Sequence, residues 1–260
     1  MQRFKGRSAE TWRMKNKPIN EGFKFWGLCD SKSGYLINFT PAGRTKGAVD
    51  EYPLLLGSKI LSFLIFLLQP IRDSPPPARI TLVMDNYFTT SKVNELIRDY
   101  GIGLIGTVKH RRGYPSSQLV AAGNELKLFN EGVWDVDGAG NLLFKWVDNS
   151  VVTVVTSVHS IEETVSKSRR RPRVTETNRR HVDAVWGDSH RTEVKIPKAI
   201  DDYNDLMGGV DLFDQLRGYF EQEFRVRRTW MPIFLFLFNS AITNSFIIHS
   251  STHHILKFLL

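Results

Sequence analysis

Between Ile80 and Val108 the sequence reads strand, helix, strand, and this order constrains the fold more than any other feature. Ile80–Met84 is a short apolar run of strand length, and Asp85 follows it directly. Thr89, Thr90 and Ser91 offer N-caps for an amphipathic helix with Val93, Leu96 and Ile97 on one face. Gly101 and Gly103 punctuate the chain before a second strand, Leu104–Val108. That is the pattern of a parallel βαβ unit, so an α/β fold is predicted.

The flanking sequence fills in the rest. Phe23–Cys29 and Tyr35–Phe39 read as strands, with Asp30-Ser31-Lys32-Ser33-Gly34 as a hairpin turn. Leu54–Leu68 is apolar nearly all round and reads as a buried helix, stopped by Ser74-Pro75-Pro76-Pro77. Val133–Val136 and Leu142–Val147 are strands around Asp137-Gly138-Ala139-Gly140-Asn141, and the β-branched Val151–Val158 is a core strand. Residues 166–192 crowd Lys167, Arg169, Arg170, Arg171, Arg173, Arg179 and Arg180 together with few apolar anchors, which predicts an exposed, disordered loop. Helical sequence returns after Glu193–Ile196, breaks at Gly208-Gly209 and resumes at Val210–Phe220. A last apolar helix runs from about Pro232 to His249.

Composition narrows the function. The chain has 260 residues, 42% hydrophobic and 24% charged, which is not a disordered composition. Its formal charge of +8 favours polyanionic partners. One cysteine, Cys29, excludes an intrachain disulfide framework and a multi-cysteine zinc module, so zinc is not expected. The N-terminus lacks the apolar core of a signal peptide. Ile60–Leu68 is too short to span a hydrocarbon layer of about 30 Å, and Ile233–Ile248 carries Asn239, Ser240, Thr243, Asn244 and Ser245.

Asp30 and Asp85 each stand at the carboxyl end of a predicted strand, where ligands collect in open α/β sheets. If the two strands are neighbours, the carboxylates come within metal-bridging reach and suit Mg²⁺ or Mn²⁺, which take hard oxygen ligands. Asp211 and Asp214, three apart in a helix, offer a third on one face. Clustered in this way, at least one of these carboxyls should titrate above its ordinary range without metal. Each also has a plainer reading. Asp30 before Ser-Lys-Ser-Gly fits a turn former, Asp85 fits a turn or cap, and Asp211 and Asp214 fit the positive end of a helix.

Three segments resemble the catalytic core of piggyBac-type transposases. The first runs from Lys17-Pro18 through Gly22-Phe23-Lys24-Phe25-Trp26-Gly27-Leu28-Cys29-Asp30 to Gly34-Tyr35. The second is Met84-Asp85-Asn86-Tyr87-Phe88-Thr89-Thr90, continuing to Gly106-Thr107-Val108-Lys109. The third is Tyr203-Asn204 with Met207-Gly208-Gly209-Val210-Asp211-Leu212-Phe213-Asp214-Gln215, then Arg225 to Trp230.

The resemblance implies an RNase H-like, retroviral-integrase-like mixed sheet flanked by helices, with a β-rich insertion domain. It implies a catalytic triad of Asp30, Asp85 and Asp211, with Asp214 as an accessory ligand, holding two Mg²⁺ or Mn²⁺ ions for DNA strand cleavage and transfer. Residues 1–21 would be a basic N-terminal segment and 22–112 the first part of the core. Residues 113–196 would be the insertion, with an Arg-rich loop at about 166–192 and a core strand near 151–158. Residues 197–260 would be the C-terminal helices of the core. The family's upstream segment and Cys/His-rich module are not expected in this chain.

The implied partner is double-stranded DNA, with a homodimer left open, no membrane and no small-molecule cofactor, and the implied location is nuclear. Lys109, Arg111 and Arg112, Arg169, Arg170 and Arg171, and Arg225, Arg227 and Arg228 are candidates for phosphate contact. A solvated basic face fits each cluster as well. The alternative function is a domesticated, catalytically inactive DNA- or chromatin-binding protein that keeps the fold.

Overall fold

A computed structural model describes residues 1–15, 17–42, 80–108, 132–147, 151–176, 178–220 and 228–259. The predicted helix at Leu54–Leu68 lies outside the described residues. Along the chain run the strands β1 (Gln2–Arg3), β2 (Trp12–Arg13), β3 (Glu21–Phe23), β4 (Phe25–Cys29) and β5 (Leu36–Pro41). Next come β6 (Thr81–Met84), helix α1 (Ser91–Asp99) and β7 (Gly103–Thr107). Then follow β8 (Gly132–Val136), β9 (Leu142–Val147), β10 (Val151–Thr156) and β11 (Thr164–Arg170). The remainder is α2 (Arg179–Trp186), β12 (Arg191–Pro197), α3 (Lys198–Leu206), α4 (Gly209–Phe220) and α5 (Trp230–Leu259). The elements form two compact units, Pro76–Met207, and Met1–Pro75 with Gly208–Leu260.

In the Pro76–Met207 unit, β6 and β7 pair in parallel from Thr81 opposite Gly103 to Met84 opposite Gly106, with α1 as the crossover. The predicted βαβ unit is therefore present. The Thr90 side chain caps α1 by accepting from the Val93 N–H, and Gly101 leaves it at φ 68°. The sheet continues in the order β6-β7-β10-β9-β8 and is mixed, because β10 runs antiparallel to β7 and β9. Ile105, Leu142, Phe144 and Val154 form one core with Ala199, Ile200 and Tyr203 of α3. Of the span 113–196 only the strand near Val151–Val158 was expected in this sheet, yet β8 and β9 belong to it too. The cause is burial on both faces of β9. Leu142, Leu143 and Phe144 are all buried, and only an interior strand hides consecutive residues.

The arginine-rich segment is not a disordered loop. β11 pairs antiparallel with β12 over seven positions, and α2 connects them. Val182, Trp186, Val194 and Ile196 make a small core there, lined by Val165, Val174 and Val185. These apolar residues are spread over 32 positions of sequence, so no local window displays them, yet together they offset the ordering entropy of the strand.

In the other unit, β4 and β5 form the predicted hairpin, with a register shift between Leu28 and Cys29. Leu36, Phe213 and Phe236 make its core with Phe25, Cys29 and Phe39. The rings of Phe25 and Phe236 stack at 3.9 Å between centroids. Helix α5 is long and apolar enough to cross a membrane by length and composition alone. Its buried residues, however, include the polar Asn239, Ser240 and Thr243. Asn239 and Thr243 are fully enclosed, while Phe234, Phe238 and Phe246 are exposed. The Asn244 amide grips β5, accepting the Leu36 N–H at 3.0 Å and donating to the Leu36 carbonyl at 2.9 Å.

Candidate functional site

Asp30 leaves the end of β4 just after the register shift, which re-aims the strand tip. Its N–H donates to the Tyr35 carbonyl at 2.9 Å, and its carbonyl accepts the Gly34 N–H at 3.0 Å, closing the turn. Its Oδ2 accepts the Lys32 N–H, the Ser33 N–H and the Ser33 hydroxyl at 3.0, 2.7 and 2.8 Å. Among the described residues no donor reaches Oδ1. The plain turn-former reading is therefore correct as far as it goes, and it occupies one oxygen. Burial pushes the Asp30 carboxyl upward, but the bonds from Ser33 and Lys32 and the Lys32 charge outweigh it. The carboxyl is held below its ordinary range, whereas clustering of carboxylates predicted an upward shift for at least one member of the triad.

Asp211 lies in the first turn of α4 and is exposed. The helix start is seated on the Asp30 turn, because a Cβ on Gly209 would stand 2.9 Å from the Asp30 carbonyl oxygen. From the other side Gly34, at φ 73°, packs on Leu212 and the Phe213 N. Two glycines thus bring the backbones at Asp30 and Asp211 together. The sequence marked Gly208-Gly209 as a turn, but a packing role for Gly34 and Gly209 has no local signature.

Asp214 has a structural occupation. Its Oδ1 accepts from the buried Arg217 guanidinium at 3.2 Å, and Arg217 also donates to Gln2 Oε1 at 2.8 Å and stacks over Phe236. Between Asp30 and Asp214 the Cys29 thiol is pushed up to about 12 by burial and by those two carboxylate charges.

Asp85 follows the carboxyl end of β6, and its Oδ1 accepts the Tyr87 N–H at 2.9 Å. Among the described residues no donor reaches its Oδ2. Thr89, fully buried, donates from Oγ1 to the Asp85 carbonyl at 2.8 Å. Gly106 on the neighbouring strand makes room for Thr89, since a Cβ there would lie 2.5 Å from Thr89 Oγ1. Tyr203 of α3 is also close by. Burial raises its phenol, the bond with Thr107 at 3.2 Å opposes this, and the Asp85 charge adds to the rise.

Asp30 and Asp85 belong to different units, Asp30 following β4 and Asp85 following β6. Among the described residues β4 pairs with β5 and β6 pairs with β7, each within its own unit. The five-residue turn after Asp30 returns the chain at once into the β4–β5 hairpin. Among the described residues no group of three or more His, Cys, Asp or Glu side chains forms a metal cluster. The donor chemistry still fits a hard cation, because Asp30, Asp85 and Asp211 are exposed carboxylates with oxygens that take no donor among the described residues.

Of the basic candidates, Lys109, Arg111, Arg112, Arg225 and Arg227 lie outside the described residues. Arg228 stands at a bend just before α5, and Arg169, Arg170 and Arg171 lie at the end of β11.

This arrangement has known counterparts. Residues 1–246 match the family described as Transposase IS4, and the chain belongs to that family of transposases. It is 28% identical over 244 residues to PiggyBac transposable element-derived protein 3 of Homo sapiens, covering 92% of this chain and 37% of that protein. PiggyBac transposable element-derived protein 2 of Homo sapiens is 26% identical over 239 residues, with 90% and 37% covered. The chain thus spans well under half the length of these relatives. A cryo-EM structure of a piggyBac transposase synaptic complex with hairpin DNA matches with a TM-score of 0.69 and 23% identity, over 95% of this chain and 45% of that one. The piggyBac resemblance read from the three motifs is borne out, and so is the mixed α/β architecture.

Proposed function

We propose that this chain is the catalytic core of a piggyBac-like DNA transposase with an RNase H-like arrangement, acting on double-stranded DNA through Asp30, Asp85 and Asp211. The observation that carries this reading is the seating of α4 on the Asp30 turn. It brings two motif segments nearly 180 residues apart to one place in a chain of the transposase family. The relative solved with hairpin DNA supports the choice of substrate.

Asp30, Asp85 and Asp211 would hold Mg²⁺ or Mn²⁺ ions, which when bound supply Lewis-acid stabilisation of the leaving oxygen and activate the attacking one. The protein's own part is positional. The Ser33 and Lys32 bonds fix one oxygen of Asp30 and leave the other to turn outward. Thr89 and the Tyr87 N–H fix Asp85 in the same manner. Asp214 would be the accessory ligand, and its bond to Arg217 supports α4.

The second reading, a domesticated binding protein without turnover, is favoured by the two relatives named as transposable element-derived proteins. Nicking of a supercoiled plasmid in Mn²⁺ separates the two. Thermal melts with and without Mn²⁺, for wild type and Asp85→Asn, supply a readout independent of activity. The enzyme reading expects an Mn²⁺-induced rise that Asp85→Asn loses, with metal-free DNA affinity equal or higher. Equal Mn²⁺ shifts in both proteins would remove Asp85 as a ligand and leave the binding-only reading.

A further inference from the structure

The two faces of the β11–β12 pair have opposite chemistry. Inward, the cations are engaged by the fold. Lys167 is held by Asp201 at 2.8 Å and Asp205 at 3.4 Å, and Arg171 is ion-paired with Asp183. Outward stand Ser166, Ser168 and Arg170 on β11, opposite Lys195, Glu193 and Arg191 on β12, all exposed.

Arg170 lies directly across from Arg191. The Arg171 N–H donates to the His190 carbonyl at 2.8 Å, so that next position is the hydrogen-bonded pair. Arg170 and Arg191 are then a non-hydrogen-bonded pair, the kind whose side chains stand closest. Like charges directly opposite each other on a strand pair destabilise it. Among the described residues neither guanidinium has an ion-pair partner. Glu193, the one carboxylate on this face, accepts the Ser166 hydroxyl at 3.0 Å.

We propose that Arg170 and Arg191 form a clamp for the phosphodiester backbone of duplex DNA, a proposal that rests on the DNA-transposase reading. A phosphate offers oxygens to two planar guanidinium forks at once and cancels their repulsion. Lys195 lies four residues along β12, about 13 Å by strand rise, and so addresses a different phosphate. Contacts of this kind position DNA without reading its sequence. The clamp is carried by a folded strand pair, and it selects Arg170 from the arginine run while adding Arg191 and Lys195, which the run does not contain.

The test is a salt titration of metal-free binding to fluorescent duplexes of unrelated sequence, using the whole chain. Each phosphate contact contributes about 0.9 to the slope of log K against log salt. The two arginines share one phosphate, so the Arg170→Gln/Arg191→Gln double variant should lose about 1 from that slope, equally on every duplex. Arg98→Gln, a charge loss elsewhere, should leave the slope unchanged. The metal-free melting temperature of the double variant should stay level or rise, because a repulsion is removed. If the double variant fails to fold, Arg191→Gln alone must weaken metal-free binding equally on every duplex, with a slope loss of at most about 1. A folded variant that binds with the wild-type slope overturns the clamp alone. A wild-type chain that does not bind DNA overturns both the clamp and the function it rests on.

Discussion

Gly209 lies against the main-chain carbonyl of Asp30, so closely that a Cβ would stand 2.9 Å from the oxygen and 3.0 Å from Ser31 Cα. Both obstacles are backbone and cannot swing aside. Gly209→Ala should therefore lift the start of α4 off the Asp30 turn, at a cost of about 1–3 kcal/mol in urea unfolding. Gly208→Ala, where a Cβ meets nothing within 4 Å, should change stability by no more than about 0.5 kcal/mol. Equal costs at the two glycines would contradict the packing.

The Asp30 carboxyl sits below its ordinary value of 3.8 in the folded chain. A carboxyl depressed by folding stabilises the native state above its unfolded pKa, and the contribution is lost as pH falls through the folded value. Asp30→Ala should cost about 1 kcal/mol near neutral pH, a figure kept small because the group is largely solvent-screened. The difference from wild type should shrink below pH 3.8. Urea melts of both proteins from about pH 7 to about pH 2 measure it. A gap that widens on acidification would reverse the assignment.

Gly106 and Thr89 should be energetically coupled. Gly106→Ala drives a methyl into Thr89 Oγ1 and disturbs its bond to the Asp85 carbonyl. The single substitution should cost about 1–3 kcal/mol, and Gly106→Ala/Thr89→Ala less than the sum of its parts, with a coupling of about 0.5–3 kcal/mol. Additive costs would mean that the two sites do not touch.

Trp186 anchors the arginine-rich segment, being buried and donating from Nε1 to the Arg169 carbonyl at 3.1 Å. Trp186→Ala should cost about 3–5 kcal/mol locally and expose the segment from Lys167 to Arg180 to trypsin. Limited proteolysis is the readout. Cleavage there in the wild type at the same rate would restore the disordered loop that the sequence suggests.

The βαβ unit was legible because its signals are local: a strand-length apolar run, a Thr90 cap and Gly101 within 22 residues. The Asp30 hairpin was legible for the same reason. What stayed hidden was non-local. Residues 164–197 look polar in every window, and only the pairing of Val165 with Ile196 and the placing of Trp186 above them create a core. Sheet membership of β8 and β9 likewise depends on β10, whose own pairing with β7 spans 47 to 51 residues, from Val154 opposite Thr107 to Thr156 opposite Ile105. At the candidate site the carboxylates were found from motifs, but their supports were not. Gly34, Gly209, Thr89 and Arg217 work through close approach or burial, and a sequence window shows neither.

Asn244 has a consequence for association. Among the described residues β5 belongs to a two-stranded pair, which leaves one of its sides an open edge there, and open edges recruit strands from other molecules. By filling the N–H and the carbonyl of Leu36 together, the Asn244 amide acts as a one-residue counterfeit strand. An incoming chain meets a ladder already closed at that rung. This asparagine thus guards the solubility of the hairpin that carries Asp30, and its loss would be felt first as aggregation.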